Sequence, residues 1–399
     1  MKTKTKLLVA FIHVHIGGAM TSLVNFLNSL DTEKFEVDVI FYENNGDRCG
    51  IKDEINILPQ GRVYKKYGFK NFLKKALSPL YIAAKCQDIY YKKFVKNKKK
   101  AVQIMSKQGY KSSPVLTKEY DVAIAYEFAW PMNYVMNSVN AKKKIVWHHL
   151  EFEKSGLDFN VDKKAMDDAD ALVFVSEECK DSYDKNHPEH KHKTYFIPNI
   201  LSSEYVRAKG HEQVSLPFEC TDEYIKFISV ARIKFDHKGF DRAVRAFARL
   251  KDDGLLNNVK WVIIGNGSDL PALKKMIAEY KLQDCIYAIG ERSNPIPYMK
   301  KFDALLLPSN YEGKPMVVTE GFIMGLVPVV TRYTSADEQI RTGVDGLVFD
   351  NNEEALYIGL KKLLQNPEVI KELKKTVNNT DYGNESEIGR FYELIDELL

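Results

Sequence analysis

The 399-residue sequence predicts an α/β protein of two domains, each built on a parallel sheet, on three observations. Short β-branched or apolar runs alternate with helix-period segments over almost the whole length, which is the pattern of βαβ units. The length is too great for one ordinary hydrophobic core, while 45% hydrophobic and 28% charged residues suit a folded globular chain. The pattern breaks over residues 198–217 into Pro, Ser, Gly and charged residues before a fresh apolar run begins.

The first strand is read over residues 6–13. The opening MKTKTKLLVAFIHVHIGG has the basic start and apolar run of a secretory signal, but His13 and His15 interrupt it and no small-residue cleavage site follows. It runs into Ile16-Gly17-Gly18-Ala19, a glycine turn opening a helix, which suits close approach of a donor phosphate or an acceptor. Later strands are read over 36–42, 121–126, 144–148, 171–176 and 194–197, then over 225–230, 259–264, 285–289, 304–307, 327–330 and 347–349, with helices between them. The domains expected are 1–205, 206–375 and a helical tail, 376–399, that packs back on them; residues 385–399 are amphipathic.

A basic, tyrosine-rich helical insertion occupies about 62–111, where fourteen lysines and Arg62 face Asp88 alone, a local charge of about +14 in a chain of net +4. Two readings stand. Its aromatics, among them Tyr64, Phe72, Tyr81 and Tyr90, can lie on an anionic membrane surface ringed by snorkelling lysines, or sit in the core of a solvated helical insertion.

Several classes are disfavoured. No run reaches the roughly eighteen apolar residues of a membrane-spanning helix. The five cysteines are odd in number and lack C-x-x-C spacing, which argues against a disulfide framework or structural zinc and for a reducing cytoplasm. There is no G-x-x-x-x-G-K-[ST] for ATP hydrolysis and no base-reading module for nucleic acid. Asp168-Ala169-Asp170 has the D-x-D form of a metal site, but it precedes a strand, away from the carboxyl end where ligands bind; a helix cap or solvated face suits it better.

The chemistry gathers in the second half. Tyr311-Glu312-Gly313-Lys314-Pro315-Met316-Val317-Val318-Thr319-Glu320 follows the strand at 304–307. Glu312 falls in a strand-to-helix loop and Glu320 one or two helical turns past Pro315, so both carboxylates can meet sugar and ribose hydroxyls beside a phosphate-binding helix N-terminus. Two surface glutamates in solvent are the bland alternative. Ser229-Val230-Ala231-Arg232 ends a strand and Lys238-Gly239-Phe240 opens a helix, placing an Arg and a Lys as a diphosphate clamp. Gly265-Asn266-Gly267 is a further strand-to-helix turn, although Leu270 replaces the third glycine of a dinucleotide fingerprint.

In this order and spacing the motifs resemble the C-terminal domain of the family-4 retaining glycosyltransferases of the GT-B fold, over most of 224–364. The resemblance implies two Rossmann-like domains whose parallel sheets face a central cleft. It implies that Arg232 and Lys238 hold the donor diphosphate, Glu312 the transferred sugar and Glu320 the ribose, with Gly17, Gly18, Gly265, Gly267, Gly313, Lys314, Pro315, Met316 and Val317 lining the donor site. Lys314 departs from the apolar residue of many members. Trp147-His148-His149-Leu150-Glu151 is similar to a Trp-x-His-x-Asp-like segment of the bacterial polysaccharide members; on that pattern His149 is the active-site histidine, although a histidine is more often structural and either neighbour can face the cleft. The function implied is a metal-independent, retaining hexosyltransferase without cofactor. It would move a sugar from a nucleotide diphosphate, uridine first, to a lipid-linked saccharide of capsule or exopolysaccharide, in the cytoplasm or peripherally at the membrane. A sugar-nucleotide epimerase or phosphorylase, or a non-catalytic nucleotide-sugar-binding protein, are the alternatives.

Overall fold

A computed structural model describes residues 4–13, 18–43, 48, 50–59, 98–110, 113–221 and 223–399. They form two compact units: 1–15, 26–197 and 388–399 make the first, and 16–25 and 198–387 the second.

The first unit carries a sheet of β1 (Thr5–His13), β2 (Phe35–Glu43), β3 (Asn56–Ile57), β4 (Tyr120–Ala125), β5 (Ala141–His148), β6 (Ala171–Phe174) and β7 (Thr194–Phe196), in the order β3-β2-β1-β4-β5-β6-β7. The second carries β8 (Ile225–Val230), β9 (Val259–Ile264), β10 (Ile286–Gly290), β11 (Ala304–Leu307), β12 (Val327–Thr331) and β13 (Leu347–Phe349), in the order β10-β9-β8-β11-β12-β13. All these pairings are parallel. Each sheet therefore starts in its middle, builds outward one way, then returns to the other side, which is the doubly wound Rossmann-like order.

Helices cover both faces of such a sheet, so its central strands are apolar throughout rather than alternating. Every residue of β6, β11 and β12 is buried. In the second unit Trp261 packs on Phe247 at 4.7 Å between ring centroids, and its indole N–H donates to Ser229 Oγ at 2.9 Å.

The expected class is observed; three details differ from the sequence reading. β3 is two residues long, too short to leave a pattern. β5 begins at Ala141, because Lys142 and Lys143 are ion-paired with Asp121 of β4 and Asp170 just before β6 and so run as strand despite their charge. The unit boundaries fall at 198 and 388 rather than 206 and 376. Leu201 and Val206 are buried in the second unit's core, as are Ile370, Leu373 and Val377 of the helix Glu368–Asn378. The helix Ile388–Leu398 instead returns to the first unit, where Phe391 meets Phe26 edge-on at 4.9 Å. Of the basic segment, only the helix Lys98–Gly109 and Tyr110 are described, so most of its aromatic face lies outside the described residues.

Candidate functional site

Ligands of doubly wound sheets bind at the carboxyl ends of the strands where the order reverses. In the second unit that point lies between β8 and β11, adjacent strands whose chains depart for opposite sides of the sheet. The loops leaving these two strands bring together the residues that the sequence marks.

After β8 the chain enters the short helix Phe235–Lys238, whose Phe235 N–H is held by Asp269 Oδ2 at 2.8 Å, and turns at Gly239 into the helix Phe240–Asp252. Gly239 has φ +61, and a Cβ there would lie 2.2 Å from the carbonyl oxygen of Pro308. Only glycine allows this turn to press against the loop leaving β11. Glu312 is buried in that loop. Its Oε1 is ion-paired with Lys238 and accepts from Ser309 Oγ at 2.6 Å; its Oε2 lies 3.6 Å from His237 Nε2. The His237 ring stacks on Tyr311, with centroids 4.3 Å apart and planes 9° from parallel. Burial pushes the Glu312 carboxyl up, but the adjacent Lys238 and His237 outweigh it and hold it down at about 2. Glu312 is thus an ionised carboxylate at any physiological pH.

The loop is fixed from several sides. Arg242, buried, donates to the carbonyls of Pro308 at 2.8 Å and Ser309 at 3.1 Å and to Thr331 Oγ1 at 3.0 Å. Asn310 N–H donates to the His237 carbonyl at 2.8 Å, and Ser335 Oγ donates to the Gly313 carbonyl. Gln339 Nε2 reaches the Pro315 carbonyl at 3.1 Å. Next comes the helix Met316–Ile323, whose first N–H groups lack intrahelical partners, as at any helix start. Its Glu320 is partly buried, and its carboxylate accepts no hydrogen bond among the described residues; burial pushes it up to about 7, against the weaker pull of Lys209. Lys314 is salt-bridged to Glu338 at 2.8 Å, and its carbonyl accepts from Asn199 Nδ2 at 3.2 Å. Asn199 Oδ1 in turn accepts from Ser22 Oγ at 2.7 Å, in the helix that Gly18 opens. Gly17 lies outside the described residues.

The remaining expected residues divide. Arg232 is exposed just past β8 and makes no hydrogen bond or ion pair among the described residues. Gly265 and Gly267 face the neighbouring chain: a Cβ would fall 1.9 Å from the Ala231 carbonyl oxygen and 2.1 Å from that of Ile233. They let two strand-end loops touch, and Ala231 N–H bonds to Ile264 O at 3.0 Å and Ile233 N–H to Asn266 O at 2.9 Å.

In the first unit His148 is fully buried, stacked on Phe174 at 4.4 Å, and burial pushes its imidazole down to about 3. It is a neutral core residue. His149 is partly exposed, 4.7 Å from the Tyr126 ring. Glu151 is buried and salt-bridged to Lys154 at 3.1 Å. Asp168 pairs with Lys164, and Asp170 accepts from the Lys144 N–H at 2.8 Å, so both serve local structure.

Sequence reasoning named Lys238 and Glu312 but missed His237, Ser309 and Arg242. His237 and Tyr311 each directly precede a named residue, and Arg242 lies one helical turn past Lys238; those offsets were the available signal.

Residues 218–380 match the family model described as Glycosyl transferases group 1. An uncharacterized glycosyltransferase of Methanocaldococcus jannaschii is 24% identical over 248 residues, covering 60% of this chain and 59% of that protein. The Campylobacter jejuni N-acetylgalactosamine-N,N'-diacetylbacillosaminyl-diphospho-undecaprenol 4-alpha-N-acetylgalactosaminyltransferase is 30% identical over 187 residues, covering 46% and 47%. The chain thus spans about half to three-fifths of the length of these curated relatives. The crystal structure of Anabaena HepE in complex with UDP and glucose superposes with a TM-score of 0.67 at 13% identity, over 99% of this chain and 100% of that one. The likeness fixes the fold as GT-B, with two Rossmann-like domains.

Proposed function

We propose that this chain is a retaining glycosyltransferase that moves a sugar from a nucleoside diphosphate, UDP first, to an acceptor hydroxyl. The observation that carries the reading is the ion pair of Lys238 with the buried Glu312 at the β8/β11 switch point, inside the segment that matches the group 1 glycosyl transferases. The UDP of the HepE complex and the diphospho-undecaprenol of the Campylobacter relative's name support a uridine donor and a lipid-linked saccharide acceptor in surface-polysaccharide assembly.

As the bond from the anomeric carbon to the diphosphate oxygen breaks, charge develops on the departing group and positive character on the sugar. Lys238, Arg232 and the N–H groups opening the helix at Met316 would stabilise the first; the carboxylate of Glu312 would stabilise the second. The acceptor oxygen forms the new bond to carbon, and its proton leaves on the diphosphate. Glu320 would accept from the ribose hydroxyls, the backbone of 313–317 would line the sugar, and His149 is assigned to the acceptor side. With the cations in the chain, the reaction would need no metal. The Lys98–Gly109 helix belongs to the segment proposed to meet an anionic membrane, and among the described residues no helix is long and apolar enough to cross one.

The test is thermal stabilisation by UDP and a panel of UDP- and GDP-sugars without metal, followed by NMR of the product's anomeric configuration. Stabilisation by a nucleotide sugar in wild type but not in Lys238→Ala or Glu320→Ala, with a retained anomer, is expected. A folded protein indifferent to every nucleotide defeats the reading, and an epimerised sugar nucleotide as product replaces it with the epimerase.

A further inference from the structure

The Lys238–Glu312 pair raises a question of charge. On the reading above, Lys238 must meet the donor diphosphate, yet in the structure its ammonium is ion-paired with a buried carboxylate. One ammonium cannot serve both at full strength, and a buried carboxylate that loses its counter-charge is strongly destabilised.

His237 is placed to resolve this. Lys238 and Ser309 both use Oε1 of Glu312, whereas His237 Nε2 faces Oε2 from 3.6 Å, slightly beyond hydrogen-bond reach. Nε2 is buried and has no hydrogen-bond partner among the described residues. The residue is held in place: its ring is stacked on Tyr311, its backbone N–H donates to Lys234 O at 3.2 Å, and its backbone carbonyl accepts from Asn310 N–H at 2.8 Å. The other groups near it are Asp236 on its own helix and Lys234 just before that helix, paired with each other at 3.2 Å, then Lys238, and the Tyr311 ring from the β11 loop. The buried phenol of Tyr333, which senses the charge of Glu312, stands on the far strand's loop and donates to Gln339 Oε1 at 2.8 Å. Glu312 is the carboxylate that meets the imidazole.

We propose that His237 is a positioning residue that takes up a proton when the donor diphosphate draws Lys238 from Glu312, so that nucleotide binding is coupled to protonation of the His237–Glu312 pair. The inference rests on the donor-site reading. The proton comes from solvent and stays on the imidazole while nucleotide is bound, and the short move from 3.6 Å to hydrogen-bond distance makes Oε2 an acceptor. Glu312 then keeps both its charge and its place against the sugar. The diphosphate, itself anionic, favours the same protonation.

The experiment is titration calorimetry of UDP into the whole chain near pH 8, in two buffers of different ionisation enthalpy, with the affinity measured from about pH 6 to 9. Wild type is expected to take up close to one proton per UDP, with affinity falling by up to about tenfold per pH unit as the pH is raised. His237→Gln should bind with little proton uptake and a flat pH profile, a change that a merely structural role would not produce. The wild-type arm decides by itself if the variant does not fold. UDP binding without proton uptake at any of these pH values overturns the coupling and leaves the donor site standing; so does uptake that persists in His237→Gln, which would put the proton on Glu312. No UDP binding at all overturns both.

Discussion

The two units share a strand order through their first six strands, yet the ends of their central strands are furnished differently. Past β8 and β11 the second unit sets a buried carboxylate ion-paired with a lysine, with a serine, a histidine and a buried arginine around it. Past β4 and β5 the first unit sets rings: Tyr126 lies 4.9 Å from Trp147 and 4.7 Å from His149, and Phe128 lies 4.6 Å from His148. Sheet topology therefore locates a crevice without choosing its chemistry, which is left to the few residues of each loop.

The largest expected effect concerns backbone approach. Gly267→Val forces side-chain atoms into Ile233, where even a Cβ would be 2.1 Å from a carbonyl oxygen. Chemical denaturation should show a loss of about 3 kcal/mol or more. Gly18→Ala, where a Cβ meets nothing within 4 Å, should cost almost nothing; comparable losses at both sites would erase the contrast.

Acid should distinguish the units next. His148 has its folded value pushed down to about 3 from an ordinary 6.5, so the stability it contributes is present above 6.5 and lost as pH falls from there toward 3. Glu312, held at about 2 against 4.5, contributes stability that is lost only from 4.5 downward, amounting to about 3 kcal/mol in all. His148→Phe should therefore remove part of the melting-temperature drop between pH 7 and 5, and Glu312→Gln should leave that interval alone.

Glu320 runs the other way. Raised to about 7, it contributes stability below 4.5 that is lost as pH rises through 7. Glu320→Gln should raise stability at pH 8 by about 1–3 kcal/mol and change little at pH 4, so an equal gain at both values would refute the burial argument. The smallest effect is at Ala129, which holds φ +68 at the start of the helix Trp130–Ser138. Ala129→Gly should relieve strain and gain about 1 kcal/mol in a thermal melt; a loss would mean that the alanine methyl packs more than the backbone strains.

Strands such as β8, β9, β11 and β13 were legible at their full length, because apolar runs ended at polar or glycine-bearing turns. Lys238 and Glu312 were legible as separate motifs. Their contact was not, since a pair 74 residues apart depends on how β8 and β11 come to lie side by side. His237 and Arg242 escaped for a related reason: beyond their offsets from Lys238, nothing local separates a histidine facing a carboxylate, or an arginine tying down a loop, from other polar residues near a helix start. His148 and His149 could be told apart only in the structure, where β5 ends at the buried His148 and leaves His149 partly exposed in the loop beyond it.

The helix Ile388–Leu398 carries a consequence for synthesis. Its Phe391 is buried against Phe26 and Trp147, so the first unit is assembled from segments with 190 residues of the other unit, 198–387, between them. On the ribosome, the second unit has its whole sheet and core available before the residues that complete its predecessor have been translated. The unit begun first is finished last, and until then the apolar seat of Phe391 on Phe26 and Trp147 stays uncovered.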